Sequence, residues 1–86
     1  QYAALVHMFA QVSGLAAGEL VHVIADAHIY DRHVPIVEEI IGRMPYEAPR
    51  LVLDPGIADF YAFTKDSFRL EGYVSHPLDT PIPVAV

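Results

Sequence analysis

Apolar side chains open the chain at helical spacing. Tyr2, Leu5, Val6, Phe9 and Val12 recur every three or four positions, the repeat that lines one face of an α-helix. Ala3, Ala4 and Ala10 add helix propensity. Ser13-Gly14 predicts the end, because glycine adopts the left-handed conformation past a helix terminus without strain. Leu15–Gly18 reads as a short turn. From Glu19 to Ala25 (ELVHVIA) the period disappears, and a nearly continuous β-branched apolar run predicts a strand buried on both faces. Asp31 is expected to cap a second helix running to about Arg43. Val34, Val37, Ile40 and Ile41 form its apolar stripe, Glu38 and Glu39 lie opposite, and Pro35 sits in the first turn, where few N–H bonds are lost.

The second half is built from shorter pieces. Met44–Pro49 reads as loop and Arg50–Leu53 as a short strand, stopped by the turn residues Asp54-Pro55-Gly56. Ile57–Phe63 reads as a short helical turn and Thr64–Asp66 as a connection. Ser67–Tyr73 alternates Phe68 and Leu70 with Arg69 and Glu71, the period of a half-buried strand. Ser75–Val86 is an extended, proline-stiffened tail. The order is helix, strand, helix, strand, turn, strand, tail, which is α+β or α/β with too few strands to close a sheet.

Composition narrows this picture. Eighty-six residues allow one small domain at most, and a chain of that size buries only about 60–65% of its unfolded surface. Five Lys+Arg against eleven Asp+Glu, a formal charge of −6, argue against a nucleic-acid-binding module, which needs clustered cations. The 53% hydrophobic content argues against disorder and suggests surface meant to be covered. Zero cysteines exclude a disulfide scaffold, a cysteine zinc site and a cysteine nucleophile on this chain. No stretch has the roughly 20 predominantly apolar residues of a membrane span. Gln1 falls inside a helical pattern, which reads as the start of a fragment, while the small apolar ending Val84-Ala85-Val86 reads as a true terminus.

Candidate chemistry centres on histidine. His22, His28 and His33 lie in one run with Asp26 and Asp31, whereas His7 and His76 stand apart. Imidazole and carboxylate suit zinc or iron, but His28 and His33 are five apart, not the i, i+4 of a helical metal pair. Asp26-Ala27-His28-Ile29-Tyr30 follows the expected strand, where α/β proteins place ligand contacts. His28 and Tyr30 are two apart, so an extended backbone points both to one side, each with a hydrogen-bonding tip on a flat ring. On residues alone two readings stand: a grip for a hydroxyl-bearing ligand, or a core tyrosine beside a surface histidine.

QYAALVHMFAQVSGLAAGELVH, DAHIYDRH, PRLVL, FRLEGY and the terminal PVAV, in this order and spacing, closely resemble the C-terminal third of thymidylate synthase, from Tyr2 to Val86. The resemblance implies an α+β fold, with helices packed on a mixed β-sheet that is incomplete in this chain. It implies one domain segment over 1–86, divided into a helix and strand portion at 1–79 and a lid tail at 80–86. The family transfers a methyl group to dUMP, giving dTMP, with 5,10-methylenetetrahydrofolate as carbon donor and reductant and no metal. By resemblance, His28 and Tyr30 match the pair that bonds the 3′-hydroxyl of the dUMP ribose, with Ile29 between them and Asp26 in support. Val84, Ala85 and Val86 match the tail that covers folate. A cytoplasmic homodimer with no nucleic-acid or membrane partner is implied, together with the remainder of the parent enzyme.

Departures are local. Ala25 stands where the family commonly has Gly, Arg32 where it usually has Asn, and Thr80-Pro81-Ile82-Pro83 replaces a stretch that often carries Lys. The family's nucleophilic cysteine, phosphate-binding arginines and base-reading Asn have no counterpart here. Arg32, Arg43, Arg50, Lys65 and Arg69 are dispersed and form no clamp for a phosphate. The 86 residues alone are therefore not expected to be active. A non-catalytic dimerising or nucleotide-binding remnant of the fold, and a dCMP hydroxymethylase relative, stand as alternatives.

Overall fold

In a computed structural model that describes residues 1–84, the first apolar repeat forms helix α1, Tyr2–Ser13. Gly14 at φ +71° ends it: its N–H reaches the Gln11 carbonyl at 3.3 Å, and the Leu15 N–H reaches Ala10 at 3.0 Å. That pair of bonds is a Schellman closure, which satisfies carbonyls the helix would otherwise leave open. Strands β1, Arg50–Leu53, and β2, Phe68–Glu71, pair antiparallel with Leu51 opposite Leu70 and Leu53 opposite Phe68. The architecture is α+β, a partial one with two helices and a single strand pair.

The chain divides into two compact units. The first joins Gln1–His22 to Ala48–Tyr73. Its hairpin connection is built from local side-chain bonds. Asp54 turns the chain after β1 by accepting the Gly56 N–H on Oδ1 at 2.9 Å. Asp59 Oδ1 accepts from the Tyr61 N–H at 3.0 Å and opens a 3-10 turn at Phe60–Ala62. Ser67, 8% exposed, takes the Thr64 N–H on its hydroxyl at 3.0 Å, a capping arrangement over Lys65–Ser67. Helix α1 is tied to this connection at two places. Phe9 stacks on Phe60 with ring centroids 4.8 Å apart. The Gln11 amide donates to the carbonyls of Asp54, at 2.8 Å, and Ile57, at 2.9 Å.

The second unit contains Val23–Glu47 and the segment from Val74 onward. Residues 27–29 are irregular and Tyr30 is extended, Asp31–His33 make one 3-10 turn, and helix α2 follows at Val34–Ile41 with Pro35 in its first turn. Ile36 is the one apolar side chain classed as buried among the described residues, at 7% exposure.

Several expectations change. Glu19–Ala25 is not a buried strand: no described segment pairs with it, and Val21 and Val23 are 75% and 83% exposed. A strand exists only through its ladder, so β-branched composition without a partner leaves irregular backbone. Asp31 makes no side-chain cap; the backbone winds into the 3-10 turn, and the N-cap position falls on His33. Helix α2 stops at Ile41, short of Arg43, and its stripe residues Ile40 and Ile41 are exposed. β2 is shorter than Ser67–Tyr73 because Gly72, at φ +70°, turns the backbone out of the ladder. The chain, 9.5 kDa, exposes 7410 Å², against about 5,000 Å² expected of a folded monomer of that mass. Much of this surface is apolar side chain of the kind that further protein covers.

Gln11→Ala removes both donors from the turn at Asp54–Ile57. It is expected to lower the unfolding free energy by about 1–2 kcal/mol, read as a lower urea midpoint at unchanged slope.

Candidate functional site

The Asp26–Tyr30 loop and the tail meet within the second unit. Asp26 lies in a turn, its side chain 93% exposed. The Asp26 carbonyl accepts from His28 Nδ1 at 3.0 Å. A carbonyl cannot donate, so Nδ1 carries the proton and Nε2 of the neutral ring is left as an acceptor. The Asp26 carboxylate stands 3.5 Å from the same nitrogen, a weak contact in solvent. Tyr30 is half-exposed and presents its ring edge-on to His28, with centroids 5.3 Å apart and planes at 82°. The expectation that the two rings share a side is met. Ile29, 55% exposed, lies between them. The result is an open wall carrying one acceptor nitrogen and one phenolic hydroxyl.

Tyr30 also meets His33, again edge-on at 5.6 Å. The His33 N–H closes the 3-10 turn onto the Tyr30 carbonyl at 2.8 Å. His33 Nε2 donates to the Pro83 carbonyl at 2.7 Å, and the Arg32 guanidinium donates to the Val84 carbonyl at 3.2 Å. Val84 thus lies beside the loop through its backbone. Ala85 and Val86, the other two tail positions, lie outside the described residues. The base of the tail has its own anchors. Arg43 donates to Pro77 at 2.8 Å, His76 Nε2 donates to Met44 at 2.9 Å, and Tyr46 stacks on the His76 ring at 4.4 Å.

Sequence reasoning missed Arg32 and His33 as tail anchors, because their acceptors lie fifty or more positions ahead in the chain. The one local signal was a histidine three residues after Tyr30, a spacing that meets across a 3-10 turn. Among the described residues no group of three or more His, Asp or Glu is close enough to hold a metal ion. Nor, among them, is any helix long and apolar enough to cross a membrane. Arg43 pairs with Glu39, and Arg69 with Glu71.

The family model for thymidylate synthase matches residues 1–86. The chain belongs to the thymidylate synthase family. Thermostable thymidylate synthase A from Bacillus subtilis, a solved structure, is similar to it at 40% identity with a TM-score of 0.89. The match covers 99% of this chain and 30% of that one, so the chain spans under a third of the length of that relative. Thymidylate synthases are methyltransferases that take dUMP with a folate cosubstrate and generally work as dimers. The loop and the tail described above therefore sit on a member of a nucleotide-modifying family.

The two ring tautomers give a direct check. In nitrogen-15 spectra, neutral His28 is expected to carry its proton on Nδ1 and neutral His33 on Nε2. The reverse assignment at either ring would exclude its bond to Asp26 or to Pro83.

Proposed function

We propose that this chain works as the C-terminal segment of a thymidylate synthase that reductively methylates dUMP to dTMP, with 5,10-methylenetetrahydrofolate as carbon donor and reductant. The observation that carries this reading is the His28–Tyr30 wall. With Nδ1 committed to the Asp26 carbonyl, His28 offers Nε2 as an acceptor, and Tyr30 offers a hydroxyl that both donates and accepts. One ribose hydroxyl can bond to both, donating to the imidazole and accepting from the phenol. Ile29 supplies apolar contact between them, and Asp26 fixes the imidazole tautomer.

In this reading the tail, from Thr80 to Val86, lies over the folate. Val84, Ala85 and Val86 are its contact residues. A closed tail excludes water and strengthens the electrostatics beneath it. Pro81 and Pro83 restrict the open tail, which reduces the entropy lost on closing. The cysteine nucleophile, the phosphate-binding arginines and the base-reading group come from the remainder of the parent enzyme, since the chain has no cysteine. A homodimer in the cytoplasm completes the proposal.

Two measurements on the complete enzyme test it. Tyr30→Phe is expected to weaken dUMP binding by about 0.5–1.5 kcal/mol, the net worth of one hydrogen bond; unchanged affinity and KM would remove Tyr30 from the ribose site. Deleting Val86 is expected to depress kcat far more than dUMP affinity, because the tail acts after the nucleotide is bound. Equal losses, or none, would exclude the lid role.

A further inference from the structure

We propose that the chain carries a self-cleaving peptide bond, Asp54–Pro55, which opens by attack of the Asp54 side chain on its own carbonyl. The proposal stands apart from the nucleotide-site reading, since it concerns the connection after β1 in the first unit. An aspartate before proline has the chemistry for it. Its carboxylate can close a five-membered ring onto its own carbonyl carbon. Proline supplies a tertiary amide nitrogen, which leaves as a secondary amine once it takes up a proton. The fold holds three groups of Asp54 for this step. The N–H donates to the Ser67 carbonyl at 2.9 Å. Carboxylate Oδ1 accepts from the Gly56 N–H at 2.9 Å, which curls the side chain forward over the bond to Pro55. Glycine leaves it room, because a β-carbon at position 56 would crowd Oδ1 at 3.3 Å. The carbonyl oxygen accepts twice, from the Gln11 side-chain amide at 2.8 Å and from the Ile57 N–H at 3.3 Å. Two donors converging on one carbonyl oxygen are the arrangement that stabilises the oxyanion of acyl transfer. Asp54 and Pro55 are exposed and line an open cleft with Val52, Asp66 and Arg69, so water reaches the bond.

The reaction balances with water alone. A carboxylate oxygen of Asp54 forms a bond to the Asp54 carbonyl carbon. The carbonyl electron pair moves onto the oxygen held by Gln11 and Ile57. As that pair returns, the bond to the Pro55 nitrogen breaks, and the nitrogen takes a proton from solvent. A cyclic anhydride remains on Asp54. Water opens it, leaving two carboxyl groups on Asp54 and a free amino terminus at Pro55. Nothing is oxidised or reduced. The leaving nitrogen needs a proton, so mild acid speeds the reaction. The two pieces stay associated, because the β1–β2 ladder joins residues on either side of the cut, Leu51 opposite Leu70 and Leu53 opposite Phe68.

The test follows the complete enzyme in mildly acidic buffer. Circular dichroism establishes that it stays folded, and mass spectrometry looks for a fragment that begins at Pro55. The same measurement in urea gives the rate of the unfolded chain. The folded enzyme is expected to cut at least about 10-fold faster, since the Gln11 donor and the fixed carboxylate exist only in the fold. Asp54→Asn keeps the turn acceptor without a carboxylate, and Asp54→Glu keeps the carboxylate one methylene too far out. Both are expected to leave the bond intact. Gln11→Ala is expected to lower the folded rate by about 2- to 10-fold, the range for one hydrogen bond, and to leave the rate in urea unchanged. Native electrophoresis is expected to show the cut enzyme still whole. A folded rate no higher than the rate in urea would overturn the proposal, as would cutting at full rate in Asp54→Asn or Asp54→Glu. An unchanged folded rate in Gln11→Ala would overturn the oxyanion role of Gln11. Separation of the pieces without denaturant would overturn their retention by the ladder.

Discussion

A carbonyl oxygen outside helix and ladder must find a donor or stay in water. Much of this chain is loop, so that requirement recurs along its length. It is met repeatedly from side chains: Gln11 serves Asp54 and Ile57, His28 serves Asp26, and His76 serves Met44. Arg43, His33 and Arg32 serve Pro77, Pro83 and Val84. Prolines sharpen the need, because each offers a carbonyl and no N–H of its own. These bonds help place both the connection after β1 and the tail. Both are segments whose own side chains are largely exposed.

Apolar packing is thin for a physical reason. The family match covers the whole chain, while the chain covers 30% of the solved relative. Large apolar side chains stand open in the 15–24 run, at the Ile40–Ile41 end of α2 and at Tyr2 in α1. Where apolar contact does accumulate, it is aromatic: Phe9 on Phe60, then Phe63 beside both Phe60 and Phe68. Histidine adopts the same habit. His22, His28, His33 and His76 each meet a tyrosine ring. Such contacts orient an imidazole while leaving its nitrogens available for polar work.

Features set by near neighbours were legible from the residues. The period of α1 and its glycine closure, the Asp54 turn and the two short strands depend on residues within a few positions of one another. The family was legible too, since its motifs run in order along the chain. Features set by distant partners were not. Glu19–Ala25 has strand composition, but pairing decides whether it is a strand. Asp31 looked like a cap, but a 3-10 turn placed the helix start elsewhere. The His28–Tyr30 spacing disclosed the ring pair. Nothing local disclosed that the next histidine reaches a proline fifty residues away, because a carbonyl acceptor has no signature in sequence: every residue has one.

That last property bears on how the tail can evolve. Arg32 and His33 grasp main-chain oxygens, which survive any substitution at positions 83 and 84 that preserves the extended path. The placement of the tail at Pro83 and Val84 is therefore written in the 3-10 turn, not in those two residues. Side chains at these two positions are free to vary with whatever lies beneath them, and replacing Arg32 or His33 would release this part of the tail from the turn. Heritable change in what the tail touches and heritable change in where it goes are assigned to separate stretches of the chain.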